Sequence, residues 1–170
     1  PLCPVFAQEF GLSFSQLGIL MTVFFIISGT GQALAGFLVD KVGARPVLFA
    51  SFVCFICACL AGYAAQGYWG LLLVAVFAGL GNAPFHPVDF SILNQRVSTH
   101  RLGSAFSAHG LSCNLGWALT PVFLLFFTAW QGWRSGYLAA ALLYACILAV
   151  LVLHSGHLKT EVVRRCLFYT

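Results

Sequence analysis

The chain has 170 residues, of which 61% are hydrophobic and only 7% are charged, and its formal net charge is +4. A soluble domain carries roughly 25% charged residues, so this sequence has too little charged surface for a fold that faces water. The composition predicts a membrane protein. It argues against a soluble enzyme and against a partner such as nucleic acid, and the few basic residues report orientation in the bilayer instead.

Five segments are apolar over the length of about 20 residues that a membrane-spanning helix needs. In chain order they cover about residues 17–39, 46–65, 68–89, 102–127 and 136–153. We expect residues 1–14 to be the end of a preceding helix and an outer loop, so that the sequence is a fragment, and residues 154–170 to be a tail. Strands are not expected, because these runs lack the alternation of barrel strands and an open sheet edge is not satisfied in lipid. The sequence therefore predicts an all-α, polytopic transmembrane helix bundle that forms a single domain over residues 1–170.

The basic residues fall almost entirely on one side of the predicted spans, and Arg134 stands alone on the other side. Basic residues favour the cytoplasmic side of a membrane, which places the tail in the cytoplasm. Trp69, Trp130 and Trp133 then mark the outer interface, where aromatic side chains prefer to lie. The basic residues on the cytoplasmic side are Lys41, Arg45, Arg96, Arg101, Lys159, Arg164 and Arg165.

Cys54, Cys57 and Cys59 form a C-x-x-C-x-C run. In a soluble protein such spacing would suggest a metal site. Here the run lies in a charge-free span without a nearby histidine or carboxylate, where cysteine packs as a small hydrophobic residue. We therefore predict neither a metal site nor a cofactor.

Small side chains recur every four residues along the span at 102–127. Such a stripe lets the backbone of a neighbouring helix approach closely. Ala75, Gly79 and Ala83 repeat the pattern in the span at 68–89, and Gly29 and Ala33, with Gly31 and Ala35, repeat it in the first span. The alternative is that glycine and alanine are simply frequent in membrane helices. The predicted packing stripe consists of Ser104, Ala108, Ser112, Gly116 and Thr120.

The stretch GNAPFHPVDF at residues 81–90 places polar groups on backbone that two prolines deform. Pro84 and Pro87 each remove a backbone donor and disfavour helix at the preceding residue. Broken backbone at membrane depth is tolerated where it lines a cavity or is buried in protein. Transporters use such breaks near their binding sites.

Ionisable residues inside a membrane are candidates for function, and histidine is the side chain that titrates near neutral pH. His86 and Asp89 are three residues apart and share a face if the helix resumes after the prolines. We expect His86 to face an aqueous vestibule near His109, and we expect Asn82 and Asn114 to lie deeper. These five residues are the candidates for a transport pathway.

Two other interpretations of this stretch remain open. His86 and Asp89 can cap a distorted helix end while the two asparagines form hydrogen bonds between helices. A His-x-x-Asp metal site in an intramembrane enzyme is also conceivable, although the sequence does not supply the third and fourth ligands that a metal needs.

The stretch GFLVDKVGARP, residues 36–46, packs charges and glycines into a turn between two spans. Asp40 is placed to pair with Lys41 or Arg45, or to face a positive helix N-terminus. The stretch resembles the G-x-L-x-D-[RK]-x-G-[RK]-[RK] loop of the major facilitator superfamily, which lies between the second and third of twelve helices. Ala44 departs from the pattern at a position that is usually basic. The positions that fit are Gly36, Leu38, Asp40, Lys41, Gly43 and Arg45.

Three further stretches extend the resemblance over essentially the whole chain. GWRSGYL at 132–138 resembles the entry to the sixth helix of that family. APFHPVDFSILNQRV and RLGSAFSAHGLSCNLGWALTP are similar to bacterial members of the fosmidomycin-resistance and drug-efflux type. On this resemblance the five spans are helices two to six, one half of a twelve-helix fold in the bacterial inner membrane.

The resemblance implies a secondary transporter of a small solute, a drug or an organic anion, that works by alternating access with protons as the coupling ion. Its partners would be the solute, protons, the lipid bilayer and a missing C-terminal six-helix half. The implied cytoplasmic gating loop consists of Gly36, Asp40, Lys41, Gly43 and Arg45. The rival hypothesis is a non-transporting membrane scaffold or subunit that is complete with five spans.

Overall fold

A computed structural model describes residues 2–158 of the chain, with side chains described through residue 156. Among these residues there are α-helices and short 3-10 turns and no strand, so the all-α prediction is confirmed. Five helical segments are long and apolar enough to cross a membrane. The predicted tail residues Lys159, Arg164 and Arg165 lie outside the described residues. The helices are α1 (Cys3–Phe10), α2 (Phe14–Val42), α3 (Ala44–Ala64), α4 (Tyr68–Asn82), α5 (Phe85–Arg96), α6 (Leu102–Gln131) and α7 (Trp133–Leu153), with 3-10 turns at Thr99–Arg101 and Ser155–Leu158.

The helices alternate in direction, with α4 and α5 together making one crossing, so the connections lie at two ends of the bundle. We call one end the basic end, because Lys41, Arg45, Arg96 and Arg101 lie there. The opposite end, with the connections at 11–13, 65–67 and Gly132, is the aromatic end. Helix α1 packs at the aromatic end, where Phe6 is part of a buried cluster.

Two helical hairpins share the same one-residue joint. Gly43 joins α2 to α3 with φ 88° and ψ 161°, and Gly132 joins α6 to α7 with φ 84° and ψ 165°. Essentially only glycine adopts this backbone region. The helices also match in length, with 29 and 21 residues in the first hairpin and 30 and 21 in the second. The predicted loop at the basic end is therefore a single glycine, because α2 and α3 continue almost until they meet.

Two buried clusters hold the bundle together, one at each end. At the aromatic end, α1 and the start of α2 pack against α3, α4 and α7 through Leu2, Phe6, Leu12, Leu17, Ala65, Leu71 and Trp133. At the basic end, α2, α3 and α5 meet through Val39, Ala44, Val47, Leu48, Phe52 and Val88.

Small residues bring α4 close to its neighbours, as the sequence predicts. A Cβ at Gly31 of α2 would lie 2.8 Å from the Cβ of Ala83, and a Cβ at Gly79 would lie 3.0 Å from the Cβ of Ile27. A Cβ at Gly81 would lie 3.0 Å from the carbonyl oxygen of Ser51 in α3. Helix α4 therefore sits tightly against both α2 and α3 because these positions lack side chains.

The predicted stripe on α6 behaves differently. All five of its residues are exposed, and α6 has no buried residue. A Cβ at Gly116 would meet no atom within 4 Å in the described part of the chain. The expected close helix contact is not made at Gly116 among residues 2–158, where α6 packs on α7 and contacts α5 through Asp89–His109 and Phe90–Phe106.

Candidate functional site

The crossing made by α4 and α5 is broken once, at residues 83–84. Helix α4 ends at Asn82 and α5 begins at Phe85, with Pro84 as the residue before its first turn. Pro84 has no backbone N–H to donate back to α4, which explains the break. At this point the Asn82 Nδ2 donates a hydrogen bond of 2.7 Å to the Ser28 Oγ of α2.

The expectation that Pro87 also breaks the helix is wrong. Pro87 lies in the first turn of α5, and His86 is helical. The first backbone N–H groups of a helix have no acceptor within it, so a proline costs little there. The resumed helix lets His86 and Asp89 lie one turn apart on α5.

The structure brings Asp89 and His109 together across α5 and α6. The His109 Nε2 lies 3.4 Å from the Asp89 Oδ2, and the side chains are 27% and 23% exposed respectively. The same nitrogen lies 3.6 Å from the Cys113 Sγ one turn further along α6. The ring of His86 is exposed and lies against Phe90, with centroids 5.9 Å apart. The ionic partner of His109 is thus Asp89, which the sequence analysis had grouped with His86.

A groove of about 650 Å³ begins one helical turn from this pair. Its walls are mostly aromatic, and Asn82 supplies an amide at the break between α4 and α5. Of the α6 stripe, Gly116 and Thr120 line the groove, whereas Asn114 is exposed on α6 outside it. The lining residues are Phe24, Phe52, Phe55, Asn82, Phe85, Cys113, Gly116, Trp117, Thr120, Pro121, Tyr144 and Ile147. A volume of this size is within the range of roughly 300–1,000 Å³ typical of small-molecule sites.

The loop residues at the basic end surround the Gly43 joint. Asp40 and Lys41 are exposed in the last turn of α2, and Arg45 is half-buried in the first turn of α3. Within residues 2–158, Asp40 forms no ion pair with Lys41 or Arg45. The expected pairing with Lys41 fails because consecutive residues on a helix do not face each other. Gly36 lies one turn earlier on α2 and is half-buried.

The sequence analysis missed a polar cluster at the aromatic end. The Arg134 Nη1 donates to the Glu9 Oε1 at 2.8 Å, and its Nη2 donates to the carbonyl oxygen of Ala65 at 2.9 Å. The Trp133 Nε1 donates to the other oxygen of Glu9. These contacts join α1, α7 and the turn after α3. A signal existed, because Glu9 and Arg134 are opposite charges that the alternating spans put at the same end.

The prediction that Trp133 marks the lipid interface is wrong. Trp133 is only 5% exposed, since it packs between the rings of Phe6 and Phe10. Trp69 and Trp130 are 76% and 67% exposed, as expected for interfacial side chains. The hydrogen bond from Trp133 to Glu9 satisfies the indole N–H in its buried position.

The hydrogen bonds of the polar cluster at the aromatic end change the pKa of Glu9. The hydrogen bond from Arg134, followed by that from Trp133, lowers the pKa of the Glu9 carboxyl. Both donors favour the ionised form. As for the metal alternative, no group of three or more His, Cys, Asp or Glu side chains among the described residues is arranged so that it could hold a metal ion.

Comparison with known proteins agrees with this architecture. The sequence model of the Major Facilitator Superfamily matches residues 1–164. The fosmidomycin resistance protein of Escherichia coli (strain K12) is 32% identical over 88% of this chain and 36% of its own length. The probable 4-methylmuconolactone transporter of Cupriavidus pinatubonensis is 28% identical over 80% of this chain and 33% of that protein. The probable L-galactonate transporter of Escherichia coli (strain K12) is 26% identical over 80% of this chain and 30% of that protein.

The chain spans about a third of the length of these relatives. No solved structure matches it significantly. The relatives are named as transporters or for drug resistance, in agreement with the expectation that this chain is not an enzyme. With the family model matching nearly its full length and five helices long enough to span a bilayer, the chain is a multi-pass membrane protein that belongs to the Major Facilitator Superfamily.

Proposed function

We propose that the chain is the N-terminal half of a secondary transporter that moves a small organic anion across the bacterial inner membrane, with protons as the coupling ion. The observation that carries this proposal is the groove between the α4–α5 break and α6, which adjoins the Asp89–His109 pair. An acid and a histidine at membrane depth are costly, and such residues serve ion or solute pathways by default. The proposal assigns the pathway to Asn82, His86, Asp89, His109 and Asn114.

The substrate class rests on the chemistry of the groove and on the relatives. One relative is named for L-galactonate, which is a sugar-acid anion. The Asn82 amide, which lines the groove, can donate to the hydroxyl or carboxylate oxygens of such an anion. Aromatic walls accommodate the carbon skeleton.

Drug export is the second candidate, and the likeness to the fosmidomycin resistance protein favours it. Both candidates use the same groove, and they differ in the solute that it binds. Uptake and efflux of L-galactonate and of fosmidomycin by the full-length protein in proteoliposomes distinguish them.

The uncovered faces of the bundle support the proposal that this is one half of a larger fold. The stripe on α6 consists of small residues and is exposed along its whole length. In a membrane protein such a face favours contact with another helix, and we assign it to the missing six-helix half. We likewise assign α1 to the end of a first helix, with the basic end and residues 154–170 in the cytoplasm.

The gating loop is part of the same proposal. Asp40, Lys41 and Arg45 all lie within a turn of the Gly43 joint, and Asp40 and Lys41 are exposed. Exposed charges at this joint are available to a partner half, and we propose that Asp40 helps to hold the cytoplasmic side closed. Gly36 lies on the same helix one turn away from Asp40.

The full-length protein in proteoliposomes tests this proposal. Asp40→Asn should reduce the initial rate of gradient-driven transport about tenfold, equivalent to about 1.4 kcal/mol, at normal membrane abundance, and Asp40→Glu should retain most of the rate. The 170-residue chain alone should transport nothing, because half of the fold is missing. A full-length protein without saturable transport of either solute would favour the rival hypothesis of a membrane scaffold.

A further inference from the structure

Helix α6 is held to the rest of the bundle at a small number of places. It packs along α7, and it also meets the 3-10 turn at Thr99–Arg101 and helix α5 near the basic end. Two neighbouring pairs of side chains contribute to the α5–α6 contact. The rings of Phe90 and Phe106 meet edge to face with centroids 5.3 Å apart, and Asp89 lies beside His109.

The strength of the second pair depends on protons. At 3.4 Å, the His109 Nε2 and the Asp89 Oδ2 form an ion pair only when the imidazole carries a proton on both nitrogens. Histidine is the side chain whose charge changes near neutral pH. Each side chain is about a quarter exposed, so water can deliver and accept the proton while the pair remains poorly screened.

The pair also adjoins the groove. Phe85 lies one turn before Asp89 on α5, and Cys113 lies one turn after His109 on α6, and both line the groove. Any change in the spacing of α5 and α6 at the pair therefore changes the width of the groove at its basic end.

We propose that Asp89 and His109 form a proton-binding site that ties α6 to α5 and controls the opening of the groove. Protonation of His109 forms the ion pair and closes the groove toward the basic end. Release of that proton to water leaves the Asp89 carboxylate without a cation, and α6 can separate from α5. The inference rests on the proposed function for its role in transport, and it gives that function a named site for the coupling proton.

Other ionisable groups surround the site and bear on its pH dependence. His86 on α5 and His109 are the cationic groups that act on the Asp89 carboxylate. The Cys113 thiol on α6 contacts the imidazole. The remaining charged groups on the packed elements are Asp40, Lys41, Arg45, Arg96 and Arg101, which lie nearer the basic end, and Arg134, which lies at the aromatic end of α7. His100 in the 3-10 turn before α6 is a further titratable group.

Cross-linking tests the tie without reference to transport. In the full-length protein, the native cysteines are changed to alanine, and Phe90 and Phe106 are then replaced by cysteine. Formation of the disulfide between these two cysteines is followed at pH about 5.5 and about 8, on either side of the range where histidine titrates. At the lower pH, Asp89→Asn should slow cross-linking at least about fivefold, the lower range of typical coupling between sites. At the higher pH the two proteins should react equally. Because the variant and its parent are compared at the same pH, the effect of pH on the reactivity of the thiols is the same in both.

Transport supplies the second measurement, with proteoliposomes and L-galactonate or fosmidomycin as the solute. Asp89→Asn and His109→Gln should each abolish accumulation driven by a proton gradient at normal membrane abundance, because the coupling proton loses its site. His100→Gln is the matched control, because His100 is exposed in the turn before α6, and it should behave as the parent.

The outcomes separate the two proposals. Equal cross-linking of the Asp89→Asn protein and its parent at both pH values overturns the proton-dependent tie, whether or not transport is observed. Accumulation at the parent's rate in both the Asp89→Asn and the His109→Gln protein also overturns it, because the pair would then not hold the coupling proton. A parent protein that transports neither solute refutes the proposed function, and the cross-linking result still decides whether the tie exists.

Discussion

The two hairpins α2–α3 and α6–α7 are alike in construction and unlike in packing. Each joins a long and a shorter helix through one glycine in the same backbone region. Helix α2 is covered by α4, which approaches it through Gly31 and Gly79 and bonds to Ser28 through Asn82. Helix α6 has no such cover in the described chain, and its small residues are exposed.

The comparison shows that the local sequence determines the hairpin, whereas burial of its small-residue face depends on a second helix. A single glycine and the length of the apolar runs suffice to make each hairpin. Burial of a small-residue face requires a second helix of matching shape, which α4 provides for α2. The α6–α7 hairpin is held instead through α7, which packs along α3 and is anchored where it begins by Trp133 and Arg134, while Asp89 and His109 connect α6 to α5 near the basic end.

The attachment of α7 at the aromatic end should be the most sensitive point. Trp133→Ala removes a 5% exposed ring that touches Phe6, Phe10 and Tyr137, and it leaves a cavity. We expect a loss of about 3–5 kcal/mol in unfolding free energy, measured by thermal or denaturant unfolding in detergent. Trp130→Ala, the same change at a 67% exposed position, is the control. Equal effects would mean that this cluster does not anchor the hairpin.

A second pair of substitutions compares the covered and uncovered helices directly. Gly31→Val should destabilise the protein by about 1–3 kcal/mol through overpacking, because even a Cβ there lies 2.8 Å from Ala83. Gly116→Val should have little effect in this chain, since among the described residues no atom of a neighbouring segment lies within 4 Å of a Cβ at that position. Unfolding of both variants in detergent is the measurement. In the full-length protein we expect Gly116→Val to become destabilising as well, and an unchanged stability there would argue against a helix that covers the stripe.

The smallest expected effect is the response of the Glu9 cluster to acid. The hydrogen bonds from Arg134 and Trp133 lower the pKa of Glu9. The ionised carboxylate therefore stabilises the fold fully at pH values above the ordinary pKa of 4.5, and this stabilisation is lost as the pH falls through the lowered pKa. The side chain is partly exposed, so we expect no more than about 1 kcal/mol. The difference in melting temperature between the Glu9→Gln protein and the parent should be smaller in acid than at neutral pH. A difference that stays constant with pH would show that the charge of Glu9 contributes nothing.

Composition and apolar run length sufficed to predict the helical membrane fold, because both follow directly from the bilayer as solvent. Close packing of α4 was also predictable, since Ala75, Gly79 and Ala83 are spaced at one helical turn. On α2 the spacing alone did not distinguish Gly31, which is closely approached, from Gly29, which meets no atom within 4 Å among the described residues. Of the two prolines, the effect on the helix was predicted correctly for Pro84 and wrongly for Pro87. Pro84 and Pro87 look alike in sequence, but their effect depends on whether the missing donor falls inside a helix or in its first turn.

Contacts between distant segments were beyond the sequence alone. Trp133 and Trp130 have the same side chain three residues apart, and only the placement of α1 makes one buried and the other exposed. The choice of Asp89 over His86 as the partner of His109 depends on how α5 and α6 turn about their axes. Single-sequence periodicity identifies such residues as unusual without pairing them.

The one-residue joints have a consequence for how this protein enters a membrane during synthesis. A single glycine leaves no slack between α2 and α3 or between α6 and α7, so the ends of each helix pair must reach the same depth together. If one helix of a pair entered the membrane first, the first turn of the other helix would have to enter with it. Each hairpin should therefore be integrated as one unit by the insertion machinery, and lengthening the Gly132 joint with flexible residues would uncouple the two steps while leaving both helices intact.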